Sequence, residues 1–129
     1  MLSYFLRSCT FGVAIGLVSL GNAQTKSFYA AHHDYNVVTV AEGFAQPWSM
    51  AWLPDGDMLV TEKPGRLRIV RDGQLLPEAV AGVPEVFYTG QGGLFEVLPH
   101  PNFESNRWVY LSFARVEGET SVTAVIRAR

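Results

Sequence analysis

Turn-forming residue pairs punctuate the first half of this chain at short intervals. Pro54-Asp55-Gly56-Asp57, Pro64-Gly65 and Asp72-Gly73 each close a run too short to be a helix. Proline presets φ and glycine accepts φ > 0, so both belong in tight turns. Asp-Gly is among the pairs most favoured for a two-residue hairpin. Between these turns lie Trp48–Leu53, Met58–Thr61 and Arg66–Val70, the last alternating polar and apolar as a half-buried strand does. Gln74–Val80 is a weaker run interrupted by Pro77, which suits an edge strand. Short strands joined by tight turns make an antiparallel meander, the unit of sandwiches, barrels and propeller blades.

The pattern restarts downstream with Leu94–Pro99, Trp108–Ala114 and Ser121–Ala128. His100 to Ser112 predicts a strand, a tight turn and a second strand. The unit from Trp48 to Val60 and the unit from Leu94 to Leu111 are spaced about one blade apart, within the ~40–50-residue period of propeller repeats. A propeller is favoured over a sandwich on that spacing. Upstream, Val37-Val38-Thr39-Val40-Ala41 is a further β-branched run.

Residues 1–23 differ in kind. Arg7 supplies a short basic region, Phe11–Leu20 an apolar run, and Gly21-Asn22-Ala23 small residues at a cleavage position. This is the pattern of a secretory signal peptide, with a run too short to span a bilayer. Cleavage near Ala23 predicts a periplasmic or secreted protein with no stable membrane anchor. Cys9, the sole cysteine, falls inside this segment, so the mature chain must fold without a disulfide. Residues 24–35 are polar and mixed and are expected to form an N-terminal extension. Residues 36–129 are expected to form the β domain.

Hydrophobic residues make up 48% of the 129 and charged residues 17%, with a net charge of −2. That balance excludes a disordered chain and gives no basic patch for nucleic acid. Lys63, Arg66, Arg68 and Arg71 gather locally, but the arginines alternate with apolar residues and predict one solvated strand face. His32-His33-Asp34 could ligate a metal, and Asp55 with Asp57 could bind calcium. A polar tail and a hairpin turn are the plainer readings. His100 could be a general base but more simply hydrogen-bonds its own loop. Glu62, Glu85 and Glu96 form no recognisable pair. The chain contains no nucleophile elbow, phosphate loop or zinc-ligand spacing.

Thr89-Gly90-Gln91-Gly92-Gly93-Leu94 is different. Glycines permit backbone conformations and close approaches closed to other residues. The amide of Gln91 has donors and an acceptor, enough to orient a polyol or a carbonyl. From the residues alone, a ligand-facing loop and a plain connection between blades stand level.

Taken in order, several motifs resemble one family. They are Gln46-Pro47-Trp48-Ser49-Met50-Ala51-Trp52-Leu53-Pro54-Asp55-Gly56, Met58 through Leu67, Gly82-Val83-Pro84-Glu85-Val86, Gly90-Gln91-Gly92-Gly93-Leu94, and His100-Pro101-Asn102-Phe103 through Tyr110-Leu111-Ser112. Over residues 36–129 the chain is similar to the glucose/sorbosone dehydrogenases, soluble quinoproteins that oxidise aldose sugars. The resemblance implies an all-β, six-bladed propeller of four-stranded antiparallel blades. It implies pyrroloquinoline quinone (PQQ) over the central channel, calcium polarising the quinone, and hydride transfer from the sugar. An external electron acceptor would reoxidise the cofactor. The family's Gly-Gln-Gly glutamine faces the active site, and that role transfers to Gln91. The general-base histidine, the calcium ligands and most quinone contacts are expected beyond Arg129, so no catalytic or metal residue is assigned here. His100 matches the family's His-Pro turn, not its base.

Six such blades need roughly 300 residues. The chain is therefore expected to be an N-terminal fragment holding one to two blades and inactive alone. Two other functions fit a propeller: non-catalytic binding of a carbohydrate or protein, and lactone hydrolysis.

Overall fold

In the computed structural model, which describes residues 25–129, the punctuated runs become antiparallel sheets. Strands β1 (Thr25–Phe28) and β2 (Tyr35–Val38) form a hairpin. Strands β3 (Pro47–Trp52), β4 (Met58–Glu62), β5 (Arg66–Arg71) and β6 (Gln74–Leu75) form a four-stranded sheet in chain order. Strand β7 (Leu94–Pro99), a single helical turn α1 (Phe103–Asn106), then β8 (Val109–Glu117) and β9 (Thr120–Ala128) complete the chain. The last three strands make a second sheet, also in chain order.

The turns follow their chemistry. Asp72 and Gly73 both take positive φ, 51° and 72°, as a two-residue hairpin between β5 and β6 requires. β6 is the outer edge of its sheet and keeps only two residues as strand, because Pro77 has no N–H for a ladder. Two bonds carry the pairing further: Leu76 donates its N–H to Ile69 and Val80 to Leu67.

Strand β4 is buried along its whole length, so its two faces fill two cores. Leu59 joins Leu67 with Leu94, Val97, Leu111 and Phe113 between the two sheets. Met58 and Val60 join Val70 on the opposite face, under Ala41, Phe44 and Leu75. The two sheets are bolted together by polar bonds. The Thr61 hydroxyl accepts the Ser49 N–H at 3.0 Å and donates to the Phe95 carbonyl at 2.6 Å. The Ser49 hydroxyl donates to Glu96 at 2.7 Å. Two stacked antiparallel sheets in chain order, with β3 beside β7, have the arrangement of consecutive blades.

Three local expectations change. The extension at residues 24–35 contains β1, held to β2 by a ladder and by Phe28 stacked on Tyr35 at 5.2 Å. Such aromatic cross-strand pairs supply sheet stability without a core. The run at Val37–Ala41 is strand only as far as Val38. The turn between β7 and β8 holds α1, with Phe103 buried beneath it and Arg107 closing it in the left-handed region at φ 58°. Among the described residues no helix is long and apolar enough to cross a membrane. Residues 1–23, expected to be a leader, lie outside the described residues together with their Cys9.

Candidate functional site

The site begins at the end of β4, where Glu62 and Lys63 face opposite ways because successive strand residues alternate. Glu62 turns inward and is fully buried, at 0% exposure. One carboxylate oxygen, Oε1, accepts the Ala45 N–H at 2.6 Å. The other, Oε2, accepts Arg66 Nε at 2.5 Å and faces Arg68 Nη1 at 3.4 Å. Burial pushes the carboxyl upward, but the Ala45 N–H and the two guanidinium groups outweigh it and hold it below its ordinary value. Arg68 also donates through Nη2 to the Leu76 carbonyl at 2.8 Å. The expected solvated arginine face holds for Arg66 and Arg71, which are exposed, and is corrected at Arg68, which is largely covered. Arg66 and Arg68 neutralise a buried carboxylate, and Arg71 pairs with Asp57. Strand alternation located these cations but gave no sign of the acid lying under two of them.

Lys63 turns the other way, toward the glycine loop. Its N–H donates to the Gln46 carbonyl at 2.9 Å, and its carbonyl accepts the Leu94 N–H at 2.9 Å. Its ammonium donates to the Gly90 carbonyl at 2.7 Å and sits 5.7 Å from the centre of the Trp48 ring. Gln46 holds an unusual left-handed backbone, φ 55°, and its side-chain oxygen accepts the Tyr88 hydroxyl at 2.8 Å. A non-glycine residue in this region costs energy that its surroundings must supply.

The glycines of this loop serve different ends. A Cβ at Gly92 would strike the Phe87 carbonyl, and one at Gly93 would strike the Lys63 carbonyl. Gly93 also takes φ +148°, and its carbonyl accepts the Ala114 N–H at 2.8 Å. These two let the loop wedge between the sheets. Gly90, at φ +57°, has open space around it. Gln91 follows at the exposed tip. The fold therefore gathers Gln46, Trp48, Lys63, Tyr88 and Gln91 around one end of the first sheet. Of this group, the sequence marked Gln91 as a site residue; Gln46, Trp48 and Lys63 stood in the family motifs without a role.

The other candidates fall elsewhere. Asp55 Oδ1 accepts the Asp57 N–H at 3.2 Å, a turn-stabilising bond. Asp57 is drawn below its ordinary value by its hydrogen bond to Arg71. His100 Nδ1 accepts the Asn102 N–H and lies 2.9 Å from Asn106 Nδ2, which places a neutral ring's proton on Nε2. It serves the loop around α1. Glu96 is engaged by Ser49 and Glu85 is exposed. His32, His33 and Asp34 are exposed between β1 and β2. Among the described residues no three His, Cys, Asp or Glu side chains gather to hold a metal.

The stacked blades and the glycine loop wedged between them define a β-propeller of which this chain holds part. A profile of the Glucose / Sorbosone dehydrogenases matches residues 44–129, so the chain belongs to that family. It is 37% identical over 93 residues to the aldose sugar dehydrogenase YliI of Escherichia coli strain K12, covering 71% of this chain and 25% of that protein. A solved glucose dehydrogenase matches at 50% identity and TM-score 0.64, covering 67% of this chain and 28% of that one. The PQQ-bound aldose sugar dehydrogenase of Streptomyces coelicolor matches at 28% identity and TM-score 0.59, covering 81% and 28%. The chain spans about a quarter of the length of the curated relatives it matches.

Proposed function

We propose that this chain is the N-terminal part of an exported, PQQ-dependent aldose sugar dehydrogenase, with Gln91 beside the sugar and the quinone. Family membership supports a sugar substrate, and the PQQ-bound relative supports the cofactor. The observation that carries the reading is the loop itself. Gly92 and Gly93 lock it against Phe87 and Lys63, yet the residue just before them, Gln91, is left exposed at its tip.

The residues present fit one edge of such a site. Space is open beside Gly90, an amide stands at the tip, and the Lys63 ammonium lies behind it. PQQ carries carboxylates and quinone oxygens, which take hydrogen bonds from such donors. When bound, it supplies the acceptor for the two electrons of the sugar. Gln91 would bind and orient: its NH₂ donates to a sugar hydroxyl or quinone oxygen, and its carbonyl accepts a sugar hydroxyl. The general-base histidine and the calcium ligands are assigned to parts of the protein outside residues 1–129. An external acceptor would reoxidise the enzyme, and residues 1–23 would direct its export.

The test is Gln91→Ala in the full-length protein with PQQ and calcium saturating. One neutral hydrogen bond is worth about 0.5–1.5 kcal/mol, or roughly three- to tenfold in kcat/KM. That loss is expected with an unchanged melting temperature. Unchanged kinetics beside a lowered melting temperature would make Gln91 part of the scaffold and remove it from the site.

A further inference from the structure

We infer that Lys63 is a positioning residue for Gln91: its ammonium fixes the half of the loop that no main-chain bond ties to a strand. The inference rests on the placement of Gln91 proposed above.

The loop from Thr89 to Leu94 is held unevenly. Its C-terminal half is fixed by the main chain. Leu94 donates to the Lys63 carbonyl at 2.9 Å, and Ala114 donates to the Gly93 carbonyl at 2.8 Å. Gly93 lies against the backbone and the side-chain stem of Lys63, so this half cannot shift without moving β4. The N-terminal half is closed by a bond within the loop, from the Gly92 N–H to the Thr89 carbonyl at 2.8 Å, which ties it to no strand. Gly90 has no atom within 4 Å of where a Cβ would stand, and glycine is the residue most free to change φ. The Lys63 ammonium holds this half, through the Gly90 carbonyl at 2.7 Å. Gln91 follows directly, so the direction of its amide is set by whether that tether is made.

The tether is itself aimed. The ammonium of Lys63 lies over Trp48, which tilts against Phe95 at 5.7 Å. Glu62, on the inward side, anchors the neighbouring Ala45–Gln46 turn. Gln46 in turn holds Tyr88, one residue before Thr89. The end of β4 thus fixes the loop from beneath through Glu62 and from above through Lys63. A cation suits the task because an ammonium is a stronger donor to a carbonyl than a neutral group.

Lys63→Met keeps the stem and removes the donor, and Lys63→Arg restores one. The first readout is amide exchange in the full-length protein without cofactor. The Gly92 amide should exchange about three- to tenfold faster in Lys63→Met, with the Leu94 amide unchanged and Lys63→Arg near wild type. The second is a kinetic cycle in the loaded enzyme. Lys63→Met should lower kcat/KM about three- to tenfold, yet by less than about twofold when Gln91→Ala is already present. Equal losses in both backgrounds, or unchanged Gly92 exchange, would overturn this role for Lys63 while leaving Gln91 in the site. Wild-type kinetics in Gln91→Ala alone would overturn both readings. A general loss of fold in Lys63→Met would appear as faster Leu94 exchange. The cycle run with Lys63→Gln, which keeps a neutral donor, would then decide by the same criterion.

Discussion

The two ends of strand β4 use the same materials for different purposes. At one end, Asp57 pairs with Arg71 and Gly56 closes the turn. At the other, Glu62 pairs with Arg66 and Arg68, and Gly93 packs against Lys63 at the strand's exit. The first end is self-contained. Gly56 at φ +92° has open space around it, so its glycine is demanded by backbone conformation alone. The acid there meets an arginine that is more than half exposed, at 56%. The second end is where the two sheets meet. Its glycine is demanded by contact, and its carboxylate is out of water altogether. A turn that answers only to its own residues can change without disturbing the rest of the chain. A junction cannot, which suits it to present a functional side chain in a fixed place.

Substitutions at the two ends should separate sharply. Gly93→Ala is the largest. Its methyl would drive into the Lys63 carbonyl at a φ that L-residues rarely adopt, costing about 3 kcal/mol or more. A melting temperature of the full-length protein within a degree of wild type would break the comparison.

Glu62→Gln comes next, at about 2 kcal/mol. It removes the charge that faces the largely covered Arg68, which keeps its bond to the Leu76 carbonyl, while Arg66 is partly solvated. Its pH dependence sharpens the point. Glu62 is held below its ordinary carboxyl value of 4.5. Its ionised form therefore adds stability at pH values above 4.5, and this is lost as the pH falls through the lower folded value. Unfolding followed from pH 6 to pH 3 should show wild type losing its advantage over Glu62→Gln as the medium acidifies. A constant difference across that window would mean that charge is irrelevant there.

Gly56→Ala is the smallest, at about 1 kcal/mol, since only the backbone conformation resists it. A cost matching that of Gly93→Ala would show that the hairpin turn is as tightly coupled as the junction.

The sequence by itself determined the elements that depend on neighbours along the chain. Proline and glycine pairs placed the turns, alternation placed β5, and the spacing of apolar runs separated the first sheet from the second. The ordered motifs carried the family resemblance, and the glycines around Gln91 marked the loop. Each of these signals is local, because φ preferences and two-residue periodicity act over a few bonds. Only the tertiary structure decided what the glycines touch. Gly93 meets Lys63, thirty positions earlier, through packing that no spacing encodes. It also decided that Glu62 is buried beneath Arg66 and Arg68, and that Lys63 reaches Gly90 across 27 positions of chain. Burial and close approach depend on which sheet lies opposite, so they exist only once the two sheets are stacked.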